Sequence, residues 1–324
     1  MIRLAKIAVC ASLLCLLCAC ATKSILLVTE YEDASPRAAS VRKAIDAQLR
    51  LEGAVFNLAD FNMNLVGRTS DVWREQMGHV AVVRTDALQA DVVLIAGDEA
   101  VRYFGRRLLG KPKRIIFFDV CDAELVRPLV ESGQATGIIE EPPVQEAFAL
   151  MKRLMPQAVG AAVLADRSAR GDVIVARIEA ATDLPIRVTE IRRAGTLQEW
   201  MTALKELQDR ADVLCIAACS TVLTDAKSTV AVPEADLLRM TAEANRLPDF
   251  GFDAESVGPK GLLAAVATPV DTQAALAAQI AGNLLFRSWN IARIPVTTLH
   301  QPGTLVDATR AAALGIRLEN LAPK

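Results

Sequence analysis

The sequence predicts an α/β protein built as two doubly wound lobes, each with a parallel sheet. Three observations predict it. Short apolar runs of strand length alternate with helix-patterned stretches, the signature of βαβ units. The runs are almost continuously apolar, as strands covered on both faces must be. The alternation runs through one full series, restarts near Pro142, and runs through a second. No repeat of 20–50 residues and no low-complexity tract interrupts it, which removes solenoids and propellers.

In order, residues 25–29 read as a first strand. A helix over residues 36–51 follows, with Ala38, Val41, Ile45 and Leu49 at three-four spacing. Strands are predicted at 54–58, 91–96, 114–119 and 135–139. After Pro142 come a helix to 155, a strand at 161–165, a helix at 169–182 and a strand at 186–191. A helix at 197–209, a strand at 212–217, a helix at 234–245 and a strand at 249–252 complete the second series. A strand at 261–266, a helix at 272–289 and short strands at 295–299 and 304–306 close the chain. Such extra elements suit a chain that crosses back between lobes.

The first residues form a separate segment. Arg3 and Lys6 precede an apolar run over residues 7–17 and small residues ending at Cys20, the three-part layout of a secretory signal. An eleven-residue helix reaches only about 16 Å, half of a hydrocarbon core, so removal of residues 1–19 is expected rather than a permanent span. Leu17-Cys18-Ala19-Cys20 resembles the bacterial lipobox, which implies lipidation of Cys20 and a membrane anchor of two acyl chains. Ala21 behind it is compatible with outer-membrane sorting. An exported or cell-surface location follows, and the alternative is ordinary cleavage nearby.

Net charge is −2 with both signs interspersed, which argues against a nucleic-acid surface. Beyond the leader, Cys121, Cys215 and Cys219 are an odd number, so no disulfide framework is implied. Cys215, inside an apolar run, reads as a buried small hydrophobe. Catalytic signatures are scarce: Gly110-Lys111 lacks the rest of a phosphate-binding loop, and neither G-x-S-x-G nor G-x-G-x-x-G is present. His79, at the end of a predicted helix, and His300, beside Pro302, are too few for a triad or zinc site. No enzyme, cofactor or metal is predicted.

Polar chemistry concentrates just after the strands, where ligands bind in open α/β sheets and helix N-termini offer free N–H groups. The candidate binding residues are Glu30 and Tyr31, Gly97, Asp98 and Glu99, Asp119 and Asp122 in the first lobe. In the second they are Glu140, Asp166, Arg167, Cys219, Ser220 and Asp253. Helix capping is the competing role for each acid and hydroxyl. Arg167 is the one nearby cation placed by the sequence, so an acidic cleft suited to a ligand with a positive group, such as an amino acid or amine, is expected.

Several segments resemble a known family. Within residues 122–165 these are Leu125-Val126, Gly133-Gln134-Ala135-Thr136-Gly137, Met151-Lys152-Arg153-Leu154-Met155-Pro156 and Ala161-Ala162-Val163-Leu164. Ala242-Glu243-Ala244-Asn245-Arg246-Leu247-Pro248, Arg293-Ile294-Pro295-Val296 and Ala312-Ala313-Leu314-Gly315-Ile316 follow in order. Together they resemble the ABC transporter substrate-binding proteins of the tryptophan-importer type. The resemblance implies the type I periplasmic-binding fold with three crossovers near Ile139, Asp253 and Ile291. Lobe 1 is then residues 20–138 plus 254–290, and lobe 2 residues 139–253 plus 291–324. It also implies capture of a small molecule in the cleft and delivery to an ABC permease. Gly97-Asp98-Glu99-Ala100 and Val266-Ala267-Thr268-Pro269-Val270-Asp271 depart from the family pattern, so ligand identity does not carry over. A lipoprotein sensor or assembly partner using the same fold is the alternative function.

Overall fold

The computed structural model describes residues 22–52 and 55–318, so the leader and Cys20 lie outside the described residues. The first lobe opens with β1 (Lys23–Thr29), α1 (Pro36–Leu51), β2 (Phe56–Asn62), α2 (Asp71–Ala87) and β3 (Val92–Ala96). It continues with α3 (Asp98–Tyr103), β4 (Arg114–Val120), α4 (Ala123–Glu131) and β5 (Ala135–Glu140). The second lobe carries α5 (Val144–Leu154), β6 (Gly160–Ala165), α6 (Ala169–Ala180), β7 (Arg187–Arg193), α7 (Leu197–Leu207) and β8 (Val213–Ala218). The rest is α8 (Glu234–Ala244), β9 (Asp249–Gly251), β10 (Ala264–Ala267), α9 (Val270–Phe286), β11 (Thr297–Leu299), β12 (Gly303–Val306) and α10 (Ala308–Ala313).

These elements form two six-stranded sheets, β11-β5-β4-β3-β1-β2 and β12-β10-β9-β8-β6-β7. Every pairing is parallel except β10 with β12. The central strands earn their place by apolarity on both faces: all five residues of β3 are fully buried. Pro36 starts α1 with its preset φ, and Ala38, Val41, Ile45 and Leu49 are its buried positions, as the spacing predicts. Ser70, Asp122, Ser168 and Thr196 cap α2, α4, α6 and α7 through side-chain oxygens.

Two of the expected crossovers move. β10 pairs with β9 through Ala264 and Phe250, so residues 254–267 complete the second sheet instead of returning at Asp253. The chain crosses only where Pro269 ends that strand region and starts α9, which packs into the first core. A short turn at Ile291–Arg293 then leads to β11, which pairs with Ile138–Glu140 of β5 in the first sheet. The last crossing therefore falls between Leu299 and Gly303, at the Pro302 bend, rather than near Ile291. The first crossing follows Glu140.

Candidate functional site

The strand carboxyl ends of both sheets face one another across a cleft. It holds two chambers of about 410 and 370 Å³ that meet at Glu30, Val66, Asp98, Arg170 and Ser220. The lobes are closed on each other. The turn after β2 and the segment before α8 pair as a short antiparallel ladder, Thr69 N to Thr229 O at 2.9 Å and Ala231 N to Gly67 O at 3.0 Å. Arg68 and Val230 are opposed in that bridge.

A second set of bridges lies deeper, and it obeys the internal symmetry of the two sheets. Arg37 is the second residue of α1, and Arg170 is the second residue of α6, the helix in the equivalent position of the other lobe. Arg37 holds Asp119 of its own lobe at 2.8 Å and reaches across to Asp253 at 2.8 Å and Glu255 at 3.3 Å. Arg170 reaches the opposite way, to both oxygens of Glu140 at 3.1 Å and to Asp119 at 3.9 Å. Asp119 is the penultimate residue of β4, and Asp253 follows β9, the strand in the equivalent position of the second sheet.

Local backbone geometry aims Asp119 into this set. The β4–β5 register shifts between Phe117 and Val120, and Asp119 sits at φ +55°, a left-handed value that Asp tolerates better than most residues. Gln273 of α9 accepts its N–H at 2.9 Å, and its carboxylate accepts the Tyr31 hydroxyl. Burial and Asp119 push the Tyr31 hydroxyl well above its ordinary value. The Tyr31 ring is faced by the Arg37 guanidinium, 5.6 Å from its centre.

Glu30 lies where the chambers meet. Its Oε2 accepts the Glu99 N–H at 2.8 Å, and no side-chain cation pairs with it among the described residues. It rests on Gly97, whose φ is +100°; a Cβ there would stand 2.2 Å from the Glu30 carboxyl, so only glycine fits. Burial, followed by the charges of Asp98, Asp119 and Glu99, pushes Glu30 up to about 8. Burial likewise pushes Asp98 up to about 6, against the N–H groups of Asp122 and Cys121 that it accepts. Burial and Asp253 push Glu234 up to about 7. Burial alone would raise Asp253, but Arg37, Glu255 and Arg170 outweigh it and hold that carboxyl well below the usual range.

Of the predicted residues, Glu30, Tyr31, Asp98, Glu99, Asp119, Arg167, Ser220 and Asp253 line the two chambers. Gly97 supports Glu30 from behind. Asp122 caps α4, and Glu140 is buried beneath the cleft with Arg170. Asp166 is fully buried and braces the facing loops, accepting from Ser168 and from Thr221 N and Oγ1. Cys219 lies in a small adjoining void with Glu234, and burial holds its thiol well above its ordinary value. His79 stands exposed within α2 and not at its end, and His300 contacts Glu146 on the surface.

The expectation of Arg167 as the lone cation is corrected: Arg37, Arg74 and Arg170 also line the cleft. Reading only loops after strands missed them, because Arg37 and Arg170 stand on helices. A signal was available. An arginine in the first turn of a helix opposes the dipole, and two equivalent helices each carry one. Glu234, Glu255 and the ladder at Thr69 and Thr229 were missed as well, and nothing local in the sequence marks them.

No family model and no curated protein sequence matches this chain, whereas solved structures do. An ABC domain from Streptococcus pneumonia in complex with L-Trp aligns at TM-score 0.69 and 18% identity, covering 92% of this chain and 96% of that one. The fold is the type I periplasmic-binding fold. A ligand-free, open substrate binding protein with adhesive properties from Clostridium difficile aligns at TM-score 0.61 and 17% identity, over 91% of this chain and 96% of that one. An ABC transporter solute binding protein from Clostridium phytofermentas with bound L-rhamnose aligns at 0.59 and 11%, over 91% and 99%. Two of these three are described as substrate- or solute-binding proteins, and the two bound ligands, L-Trp and L-rhamnose, differ in chemistry.

Proposed function

We propose that the chain is an extracytoplasmic solute-binding lipoprotein, anchored through Cys20, that captures a small molecule with a positive group and delivers it to an ABC importer. An amino acid or an amine fits. Glu30 carries the reading: a carboxyl without a cation partner among the described side chains, at the junction of the two chambers. A ligand ammonium there would supply the missing charge, in a cleft where acids outnumber the four arginines. The L-rhamnose of one neighbour is a poorer guide. Among the described residues lining the two chambers Tyr31 is the sole aromatic, and Arg37 covers its ring, so no free aromatic face awaits a sugar.

Thermal-shift screening against amino acids, polyamines and neutral sugars tests this. A ligand at 100 times its dissociation constant should add about 2.7 kcal/mol of stability. Amines or amino acids should stabilise the protein, and Glu30→Gln, which keeps side-chain size, should lose on the order of 2–5 kcal/mol of binding. Unchanged calorimetric affinity in Glu30→Gln, or stabilisation by neutral sugars alone, sinks the cationic-ligand reading.

The raised carboxyl also fixes a pH dependence. A folded-state pKa above the ordinary 4.5 means that the folded protein holds more protons, so stability falls as pH rises from about 4.5 to about 8 and then levels off. A bound cation favours the carboxylate, so ligand binding at pH 7 should release a proton and tighten as pH rises toward 8. Calorimetry in buffers of different ionisation enthalpy reads that proton. Its absence in the wild type, or its persistence in Glu30→Gln, removes Glu30 from the contact.

A further inference from the structure

One end of the first lobe, opposite the cleft, carries an apolar surface. β1 starts there at Lys23, beside Phe56 at the head of β2, and ends at the cleft with Thr29. Both α1 and α9 finish at the same end, where Glu52, just past α1, holds Arg287, just past α9, at 2.8 Å. Around that pair Leu51 is 81% exposed, Val55 64%, Trp289 49% and Phe286 40%. They are four of the ten exposed large hydrophobics on the described surface, and they include both aromatic ones, so the distribution is a patch and not a scatter. The polypeptide around Trp289 is held back onto the helix by its N–H, bonded to Asn283 O at 3.3 Å.

Basic residues rim the patch. Lys23 and Arg293 have no acidic partner within ion-pair distance among the described residues, and Arg287 is largely exposed despite its bond to Glu52. Arg293 lies in the turn whose Ala292 approaches Gly133, just ahead of β5, at this same end of the sheet. Aromatic side chains beside apolar ones, with cations at the rim, match a bilayer surface, where Trp sits at headgroup level and cations meet anionic lipid.

Tether length decides the occupant. Only three residue steps separate Cys20 from Lys23, a reach of about 11 Å at full extension. We infer that this end of lobe 1 seats on the bilayer that holds the Cys20 anchor, with Phe286 and Trp289 at the lipid headgroups; the inference rests on the lipoprotein reading. A consequence is orientation. The cleft stands at the far end of the seven-residue β1, about 20 Å from the seat, with the second lobe beyond it.

The test uses full-length protein extracted from membranes, whose intact mass first reports the acyl state of Cys20. Acylated protein is then placed in phosphatidylethanolamine–phosphatidylglycerol vesicles containing brominated acyl chains, which quench tryptophan at short range. Of the three tryptophans, Trp200 is fully buried and Trp73 lies on α2, bonded to Asn64 O. Quenching in the wild type that disappears in the acylated Trp289→Phe protein is the expected result. Acylated, vesicle-bound protein whose emission is indifferent to brominated lipid, or whose quenching survives Trp289→Phe, overturns the seat while leaving the anchor intact. An unmodified Cys20 overturns anchor and seat together.

Discussion

Arg170→Met is expected to lower the unfolding free energy by about 3–5 kcal/mol and to loosen the closed cleft, because it strands buried carboxylates. Glu140 is 1% exposed, and both of its oxygens take Arg170. Its remaining contacts are weak: Gln273 Nε2 at 3.4 Å and the Cys121 thiol at 4.0 Å. Asp119 keeps Arg37 and Tyr31 but loses its second guanidinium. Because Arg170 belongs to the second lobe and both acids to the first, solution scattering should show a larger radius than the wild type. Glu140→Gln in the same chain should recover much of the lost stability, since removing both members of a buried pair costs less than removing one. Arg170→Lys keeps charge without the two-pronged contact and should fall between. A loss below about 1 kcal/mol in denaturant titrations, with unchanged scattering, would show that the bridge contributes little beyond what exposed pairs do.

A comparable loss of about 3–5 kcal/mol is expected for Arg310→Met, for a reason confined to the second lobe. Asp249, at the head of β9, is fully buried and takes Arg310 at 2.5 and 3.2 Å, Asn245 at 2.8 Å and Leu263 N at 2.7 Å. Removing the guanidinium leaves a carboxylate held by neutral donors alone, and detaches α10 from β9. Asp249→Asn combined with Arg310→Met should be markedly milder than Arg310→Met alone. Scattering of the folded Arg310→Met protein should match the wild type, since no bond of this group crosses the cleft. An opened profile would mean that α10 also controls closure.

The sequence exposes parts of this molecule in proportion to how strongly burial constrains them. β3 and β6 are buried along their whole lengths and read as apolar runs close to their true limits. The edge strands β2 and β7 are half exposed and mixed in polarity, so residues 54–58 and 186–191 were placed early relative to Phe56–Asn62 and Arg187–Arg193. α2 fully buries only Gly78, Ala81 and Thr85, and its larger apolar residues Trp73, Met77 and Val82 are half-buried, so its apolar face is weak in the sequence and its start went unplaced. In the cleft, the loops after strands were legible because strand polarity ends abruptly there. The crossed arginines were not, since their meaning lies in which helices are equivalent, and that equivalence belongs to the fold. The same holds for Glu140 and Asp166: both were read as cleft walls, and both turn out to be buried supports one layer behind.

Asp119, held by Arg37 and faced by Arg170, has a consequence for how the lobes can move. Separating them strips Arg170 from Asp119 and Glu140, Arg37 from Asp253 and Glu255, and Thr69 and Ala231 from their backbone partners, all in one rotation. A partly opened cleft would lose the bonds without yet admitting enough water to replace them, so it sits higher in energy than either end. A hinge between these lobes would therefore favour two resting positions, and a molecule slightly too large for the chambers would leave it open rather than half shut.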